Sequence, residues 1–533
     1  MTIINFAIGI FIIDILQIFR QVHMLQLNSY NFDSHAFYLK KHIKDFIINF
    51  FLLLSSLIVL FFNSFNIYLS LICIFQLIFL LIILIENLPR KMIKPLVYTN
   101  RVFRLFFTIF IITLLSFVPV FYIIYNREEI ALLLKYKSLF LPILFCSIMP
   151  LVVQISNYIN SPIEKISRNK YIKEAKNKLL SMNNLEVIGI TGSYGKTSTK
   201  YFLSEILNEK FNVLITPSSF NTPMGIVKAI RENLRSIDEI FICEMGARRV
   251  GDIKEICDIV SPTSCIITSI GPQHLDTFKN TQNILSTKFE LVDYINSNNK
   301  EAKILVNGDN EYIKERINNN IKTFGLNTNN DYYAKNIYTT SEGTSFTFVD
   351  KNDNKAISFH TILLGNNNIL NLISSIAFSK MLGMNYDDII LSVKRIKPVK
   401  HRLELLKENK ELSFIDDAYN SNPVGAEEAL HVLSLFDTST KICITPGMVE
   451  LGEKEDELNR NFAKQMINIC DYILLVGEKN THRIKDEIYK TKFDKEKVHS
   501  FSKVQDAIYF ARKLQSTKHK CVLLENDLPD NYN

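Results

Sequence analysis

The sequence predicts a multidomain chain in which an α-helical transmembrane region is followed by two α/β domains. Three observations predict it. Residues 1 to about 160 are dominated by Phe, Ile and Leu and contain long runs without a charge, and from Val187 onward short apolar runs alternate with amphipathic helical patterns. One such run, Val187–Ile190, enters the turn Thr191-Gly-Ser-Tyr-Gly-Lys-Thr197 and leaves as a helix beginning at Lys196. A chain of 533 residues exceeds a single core, and its length suggests roughly three or four domains. The boundaries read from composition are 1–160 for the membrane region, 161–185 for a basic juxtamembrane linker, 186–398 for the central domain and 399–533 for the C-terminal domain.

Within the front region, Ile3 to Phe19 is apolar but has neither a preceding basic stretch nor a following small-residue cleavage site. It reads as a retained first span rather than a signal peptide. Phe46 to Ile85 carries no charge and is long enough for two helices of about 20 residues, with Asn63-Ser-Phe-Asn66 as the turn between them. Leu105–Tyr125 and Ser138–Tyr158 bring the expected number of spans to five. Positive charge falls in the first loop (Lys40, Lys41, Lys44), in the third (Arg90, Lys91, Lys94, Arg101, Arg104) and after the last span (Lys165, Arg168, Lys170, Lys173, Lys176). Placing these inside puts the N-terminus outside and the remaining two thirds of the chain in the cytoplasm. Asp14, near one end of the first span, has no evident partner in the sequence and is assigned no role.

The net charge of +7 comes largely from these loops and from Lys165–Lys178, so membrane phosphates are the nearer partner. No nucleic-acid-binding motif accompanies it, and no nucleic-acid partner is expected. Eight cysteines are scattered without a Cys-x-x-Cys pair, the pattern of reduced thiols rather than of a zinc site or a disulfide framework.

The apolar runs Val187–Ile190, Phe211–Ile215, Ile240–Cys243, Cys265–Thr268 and Ile304–Val306 are strand candidates of a doubly wound sheet. A β-rich patch, Tyr332–Leu364, follows, and Phe414–Asp416, Ile442–Thr445, Tyr472–Val476 and Val522–Leu524 mark a second α/β unit. The turn after Val187–Ile190 is a phosphate cradle. Backbone N–H groups from Gly192 through Ser193, Tyr194 and Gly195 to Thr197 can point at phosphates, the helix N-terminus adds positive potential, Lys196 reaches the terminal phosphates and Thr197 can hold Mg²⁺. Its spacing departs from the standard P-loop, which would need glycine at Ile190, and the bland alternative is a strand-to-helix turn without a ligand.

Four further segments carry candidate chemistry. Glu244 ends the strand Ile240–Cys243, where the carboxyl edge of a parallel sheet would hold a metal-binding carboxylate near the phosphates. His274, in Ile270-Gly-Pro-Gln-His-Leu275, follows another strand; a lone histidine is ordinarily structural. Lys288 lies on a predicted helix, where a lysine is normally solvated, and Asp416-Asp-Ala-Tyr-Asn-Ser-Asn-Pro423 leaves a strand as a turn-prone loop.

Together these segments resemble the Mur ligases, the ATP-dependent amide-forming enzymes of cell-wall precursor synthesis, in order from about 186 to 533. The similarity also includes Asn221-Thr-Pro-Met-Gly225, Glu244-Met-Gly-Ala247, Lys288-Phe-Glu290, Gly365-Asn-Asn-Asn-Ile-Leu-Asn371, His401-Arg402 and Gly447-Met-Val-Glu-Leu-Gly452. The last of these and Asp416–Pro423 are most like the D-alanyl-D-alanine-adding branch. The resemblance implies a P-loop central domain that binds ATP, a Rossmann-like C-terminal domain, and an acyl-phosphate intermediate attacked by an amine. It implies Thr197 and Glu244 on one Mg²⁺, and a second Mg²⁺ near His274 and a carbamylated Lys288. It further implies that Ser198, Asn368, Asn371 and Arg402 contact the nucleotide, and that Asp417, Tyr419 and Asn420 complete the site on domain closure. Lys196, Lys288 and His274 would be the catalytic set. The expected substrates are a muramyl-peptide-type carboxylate, uridine- or lipid-linked, and an amine such as D-alanyl-D-alanine.

Three departures stand against the pattern. A membrane region replaces the family's sugar-nucleotide-binding domain, Asn367 stands where a histidine is usual, and the tail reads Glu525-Asn-Asp-Leu-Pro529 in place of a Lys-Gly-Ser-like element. The expectation is a ligase anchored at the inner face of the cell membrane, adding D-alanyl-D-alanine or a similar amine. The alternatives are a ligase building another envelope or polyglutamate-like polymer and, from a different class, a P-loop membrane switch or transporter.

Overall fold

The computed structural model describes residues 2–28, 30–41, 47–62, 67–88, 95–125, 132–182, 184–217, 220–273, 275–299, 302–418, 423–449, 451 and 454–526. The chain divides into two compact units, Met1–Lys170 and Tyr171–Asn533, and the division falls within one helix, Met149–Leu180.

The first unit is helical. Thr2–Leu27, Ile47–Leu60, Ile67–Glu86 and Phe140–Ser147 share a core of Ile10, Ile13, Leu52, Leu80, Ile83, Ile143 and Cys146. A second cluster joins Val22 and Leu25 to Val102, Ile109 and Val153. Among the described residues, only Ile4–Leu27 of the five runs read as spans is by itself a helix long and apolar enough to cross a bilayer. Proline explains two of the differences. The expected span Leu105–Tyr125 begins earlier, at Asn100, and breaks at Phe117 ahead of Pro119; Ser138–Tyr158 breaks at Ile148 ahead of Pro150. Proline lacks the N–H that would continue the first helix and its ring clashes with the carbonyl four residues back, but it is tolerated in the first turn of a new helix, where Pro119 and Pro150 sit. The pieces on either side of Ile148 meet at 80° and are long and apolar enough to span only when taken together; Met149–Leu180 has the length by itself but not the apolarity. Ile47–Leu60 and Ser70–Glu86 are apolar but shorter, and the turn Asn63–Asn66 lies outside the described residues, as do Lys44, Arg90, Lys91 and Lys94.

The second unit holds two sheets. In the first, the strands are β1 (Glu186–Thr191), β2 (Val213–Ile215), β3 (Ile240–Glu244), β4 (Ser264–Ile267), β5 (Ile304–Asn307), β6 (Lys322–Gly325), β7 (Tyr332–Thr340), β8 (Gly343–Asp350) and β9 (Lys355–Thr361). Their order is β2-β3-β1-β4-β5-β6-β7-β8-β9, parallel from β2 through β7 and antiparallel thereafter. The parallel strands are covered on both faces, which is why they read as continuous apolar runs. Along β1 and β3, Val187 and Phe241 enter one core with Ile226, Ile253 and Leu291, while Ile188, Ile190 and Ile242 enter the other with Phe202, Leu372 and Ile373.

The second sheet is built from β10 (Glu404–Lys407), β11 (Leu412–Asp417), β12 (Thr440–Thr445), β13 (Tyr472–Val476), β14 (Val498–Phe501) and β15 (Lys520–Glu525). Its order is β10-β11-β15-β12-β13-β14, parallel except for β10. Strands β6, β10 and β14 have no counterpart among the sequence candidates. Each is four residues long; β10 and β14 are edge strands and β6 is held in parallel between β5 and β7, so that neighbours rather than local pattern define the pairing.

Candidate active site

Because β1 sits between β3 and β4, and the chain runs outward to opposite sides from it, the carboxyl ends of these three strands surround a topological switch point. The register pairs Ile190 with Glu244 and Thr191 with Ile267, so the loops after β1, β3 and β4 leave the sheet side by side. They line a cleft of about 950 Å³, to which the second sheet contributes Arg402, Leu403 and Asp417.

The turn after β1 depends on two glycines. Gly192 has φ +151° and a Cβ there would lie 2.1 Å from Thr268 Oγ1; Gly195 has φ +83° and a Cβ would lie 2.3 Å from Asn371 Oδ1. Gly195 then caps the helix Lys196–Leu207, whose first-turn N–H groups have no intrahelical acceptor by geometry. The cradle is narrower than the sequence implied, because the Ser193 N–H donates to the Ser269 carbonyl at 2.6 Å and is turned away from any phosphate. The Ser193 hydroxyl donates to the Gly271 carbonyl at 3.1 Å and accepts from the Gly271 N–H at 3.1 Å. Tyr194 donates its hydroxyl to the Pro272 carbonyl at 2.6 Å, and burial pushes that phenol above its ordinary value. Ser193 and Tyr194 therefore brace the loop after β4 against the turn.

Lys196 folds back so that its Nζ donates to the Gly192 and Ser193 carbonyls at 2.6 and 3.0 Å. Desolvation lowers its pKa to about 8, with Glu244 opposing the shift and Arg402 adding to it. The Thr197 hydroxyl donates to Glu244 Oε1 at 3.1 Å, and the Asn221 amide donates to the same oxygen at 3.2 Å. A hydroxyl and a carboxylate side by side are hard oxygen donors, the kind Mg²⁺ takes alongside water and nucleotide phosphates, so this pair fits the ion. Among the described residues no group of three His, Cys, Asp or Glu side chains forms a protein-only metal cage.

Lys288 is 2 % exposed on the helix Thr281–Asn298 and faces the cleft rather than solvent. Burial pushes its amine well below the ordinary lysine range, and Lys196 pushes in the same direction against Asp252 and Glu290. Those carboxylates are otherwise engaged: Glu290 accepts from the Gly251 and Lys254 N–H groups at 2.8 and 2.9 Å, and Asp252 from those of Arg248 and Arg249.

Asn371 accepts from Thr199 Oγ1 at 3.4 Å beneath the turn, and Asn368 donates to the Leu364 carbonyl at 3.0 Å. Both line the cleft, as do Ser198 and Asn367. Across from them, Asp417 Oδ1 accepts from the Leu403 N–H at 3.2 Å, and burial pushes its carboxyl up to about 6 despite the Arg402 guanidinium. The approach is strained, with His401 at φ +60° and Leu403 at φ +49°, a region that disfavours side chains. His401 Nδ1 is held 2.8 Å from Asp416 Oδ2.

Lys196, Thr197, Glu244, Lys288, Asn368, Asn371, Arg402 and Asp417 thus converge on one cleft. His274, Tyr419 and Asn420 lie outside the described residues. Asn221, on Glu244, belongs to the Asn221–Gly225 segment that resembles the family but was given no site role by the sequence; locally it reads only as the Asn-Thr-Pro start of a helix, with Thr222 as the cap. Asn307, which ends β5, and Asp309 and Tyr312 after it were missed as well, because the sequence offers no motif there.

A doubly wound sheet with a glycine turn, a lysine and a Thr–Glu pair at its switch point, facing a second α/β sheet, defines a two-domain nucleotide-binding class of α/β protein. The chain belongs to the Mur ligase family: residues 190–379 match the Mur ligase middle domain, and residues 401–525 match the Mur ligase, glutamate ligase domain. It is 31% identical over 278 residues to the UDP-N-acetylmuramoyl-tripeptide--D-alanyl-D-alanine ligase of Bacillus subtilis, covering 51% of this chain and 58% of that protein. The Haemophilus influenzae protein of the same name is 26% identical over 356 residues, covering 65% of this chain and 72% of the relative. The chain therefore spans less than three fifths of the Bacillus protein's length. Among solved structures, MurF from Acinetobacter baumannii superposes with a TM-score of 0.60 at 24% identity, covering 68% of this chain and 77% of that one. MurF from Thermotoga maritima, solved in complex with ADP, gives 0.59 at 24% identity, covering 68% and 80%. At that identity the likeness concerns the fold.

Proposed function

We propose that the chain is an ATP-dependent amide-forming ligase that activates a substrate carboxylate as an acyl phosphate and lets an amine displace the phosphate. One observation carries the reading: Lys196, the Thr197–Glu244 pair and the buried Lys288 share a cleft with Arg402 and Asp417 from the second sheet. In this reading the first-turn N–H groups and Lys196 hold the nucleotide phosphates, and the Lys196 ammonium, released from the Gly192 and Ser193 carbonyls, follows the charge that develops on the transferring phosphoryl group. Thr197 and Glu244 would hold Mg²⁺, which would neutralise phosphate charge when bound. Lys288, implied by the family resemblance to be carbamylated, is suited to that modification because burial favours its neutral, nucleophilic amine. Asp417 and Arg402 bring the second sheet to the nucleotide, so that closing the cleft excludes water from the acyl phosphate.

The acceptors we propose are a muramyl-tripeptide carboxylate and D-alanyl-D-alanine, the substrates in the relatives' printed names. We propose further that the first unit anchors the enzyme in the cytoplasmic membrane with the catalytic cleft in the cytoplasm. Its helices support this with apolar side chains left facing outward, among them Phe50, Leu54, Leu71, Phe75, Ile78 and Leu81, each at least 44 % exposed. Membrane placement makes a lipid-linked muramyl peptide a candidate alongside the uridine-linked one.

The test is to incubate the full chain in lipid with ATP, Mg²⁺, D-alanyl-D-alanine and either a uridine-linked or a lipid-linked muramyl tripeptide, and to measure ADP and new amide by mass spectrometry. ADP and amide are expected only when both acceptors are present, and Lys288→Ala should abolish both products. Phosphate release that needs neither acceptor would overturn the ligase reading in favour of a nucleotide-driven switch.

A further inference from the structure

Behind the cleft, one charged side chain plays no part in the reading above. Lys200 lies one turn after Lys196 on the same helix, is 0 % exposed and is not among the residues that line the cleft. Its Nζ is 2.9 Å from Glu244 Oε2 and donates to the Thr216 carbonyl at 2.9 Å. The Glu244 main-chain N–H donates to the Thr216 hydroxyl at 3.1 Å, so residue 216 holds both the lysine and the strand end that carries the carboxylate. The two oxygens of Glu244 are thereby divided. Oε2 points to Lys200, away from the cleft, and Oε1 meets Thr197 and Asn221.

We propose that Lys200 is a positioning residue for the metal site, fixing the far oxygen of Glu244 so that the near one is presented with Thr197 to nucleotide-bound Mg²⁺. The proposal rests on the nucleotide-site reading of the cleft. A carboxylate at a strand end turns freely about its last torsion, and an ammonium held by a second, main-chain acceptor removes that freedom. Partners that orient a metal-binding side chain set metal affinity by roughly 10- to 100-fold without touching the ion. Stability alone is a weak reason for such a pair, because desolvating two buried charges offsets most of their attraction.

The experiment uses the full chain in detergent and a fluorescent ADP analogue, titrated with Mg²⁺ at fixed nucleotide and compared with binding in EDTA. For Lys200→Met, the Mg²⁺ concentration at half-maximal enhancement should rise roughly 10- to 100-fold, while the affinity in EDTA stays as in the parent. Lys200→Arg, which keeps the charge, should recover most of the difference. Lys200→Leu, which has no donor for Glu244, is the second variant in case Lys200→Met does not fold, and it should shift in the same direction. An unchanged Mg²⁺ midpoint in a folded Met or Leu variant overturns the proposal, as does equal weakening with and without Mg²⁺, the mark of a merely structural role. If the parent binds the analogue with no Mg²⁺ dependence, the proposal falls; if it does not bind the analogue at all, the nucleotide-site reading itself falls.

Discussion

Two titratable side chains at the cleft each carry a pH dependence, one read in nucleotide affinity and one in stability. Lys196 has its pKa lowered to about 8, so its ammonium is lost just above neutrality unless phosphates hold the proton on. Nucleotide affinity should therefore fall as the pH rises through 8, a slope that Lys196→Ala should remove along with turnover; isothermal titration at several pH values reads both. Asp417 is raised from 3.8 to about 6. Between those values the folded chain holds more protons than the unfolded one, so the carboxyl's contribution is most favourable below about 4 and is lost as the pH rises through 6. Asp417→Asn should accordingly raise the melting temperature more at pH 7.5 than at pH 5, while weakening nucleotide binding. A melting difference that is the same at both pH values would contradict the buried-carboxyl account.

At the level of elements, the cradle is a strand-to-helix turn whose shape is set by what packs against it. Gly195→Ala adds a strained φ and a Cβ driven into Asn371, whereas Gly251→Ala adds a strained φ of +91° with nothing within 4 Å. Strain of this kind costs of order 1–3 kcal/mol, so chemical denaturation should show about that loss at Gly251 and a larger one at Gly195, with nucleotide binding impaired only at Gly195. The helix Asn366–Met381 offers a second case, since the N–H of Asn366 donates to Glu428 Oε1 at 2.5 Å from the helix Pro423–Ser434. A carboxylate capping that N-terminus complements its dipole, and Glu428→Gln should cost about 1 kcal/mol and loosen the second sheet from the first. Limited proteolysis near residues 396–403 should then run faster; an unchanged rate would argue that the cap carries no interdomain load.

For the molecule as a whole, the proposed anchoring makes a prediction that does not depend on the chemistry. A chain held by apolar helices should remain with membranes through high-salt and carbonate washes and enter solution only with detergent. Release by salt alone would reduce the first unit to an electrostatic docking element using Lys165, Arg168 and their neighbours. Among the described residues only Ile4–Leu27 is by itself a helix long and apolar enough to span, so the washes separate integral from peripheral attachment in a way that helix length cannot.

Local pattern alone determined the apolar strands of both sheets, the glycine turn at Lys196 and the ordered segments resembling the Mur ligases, because strands covered on both faces and turns with positive φ constrain residue type at each position. Tertiary structure decided what no local window contains. It split the uncharged runs at Pro119 and Pro150 where single spans were expected, and it paired the short strands β6, β10 and β14. It turned the Ser193 N–H to Ser269 and brought Asn221 and Lys200 onto Glu244 from 23 and 44 residues away in the chain. The reason is that strand order and register, fixed by packing across the whole sheet, choose which distant side chains share an edge.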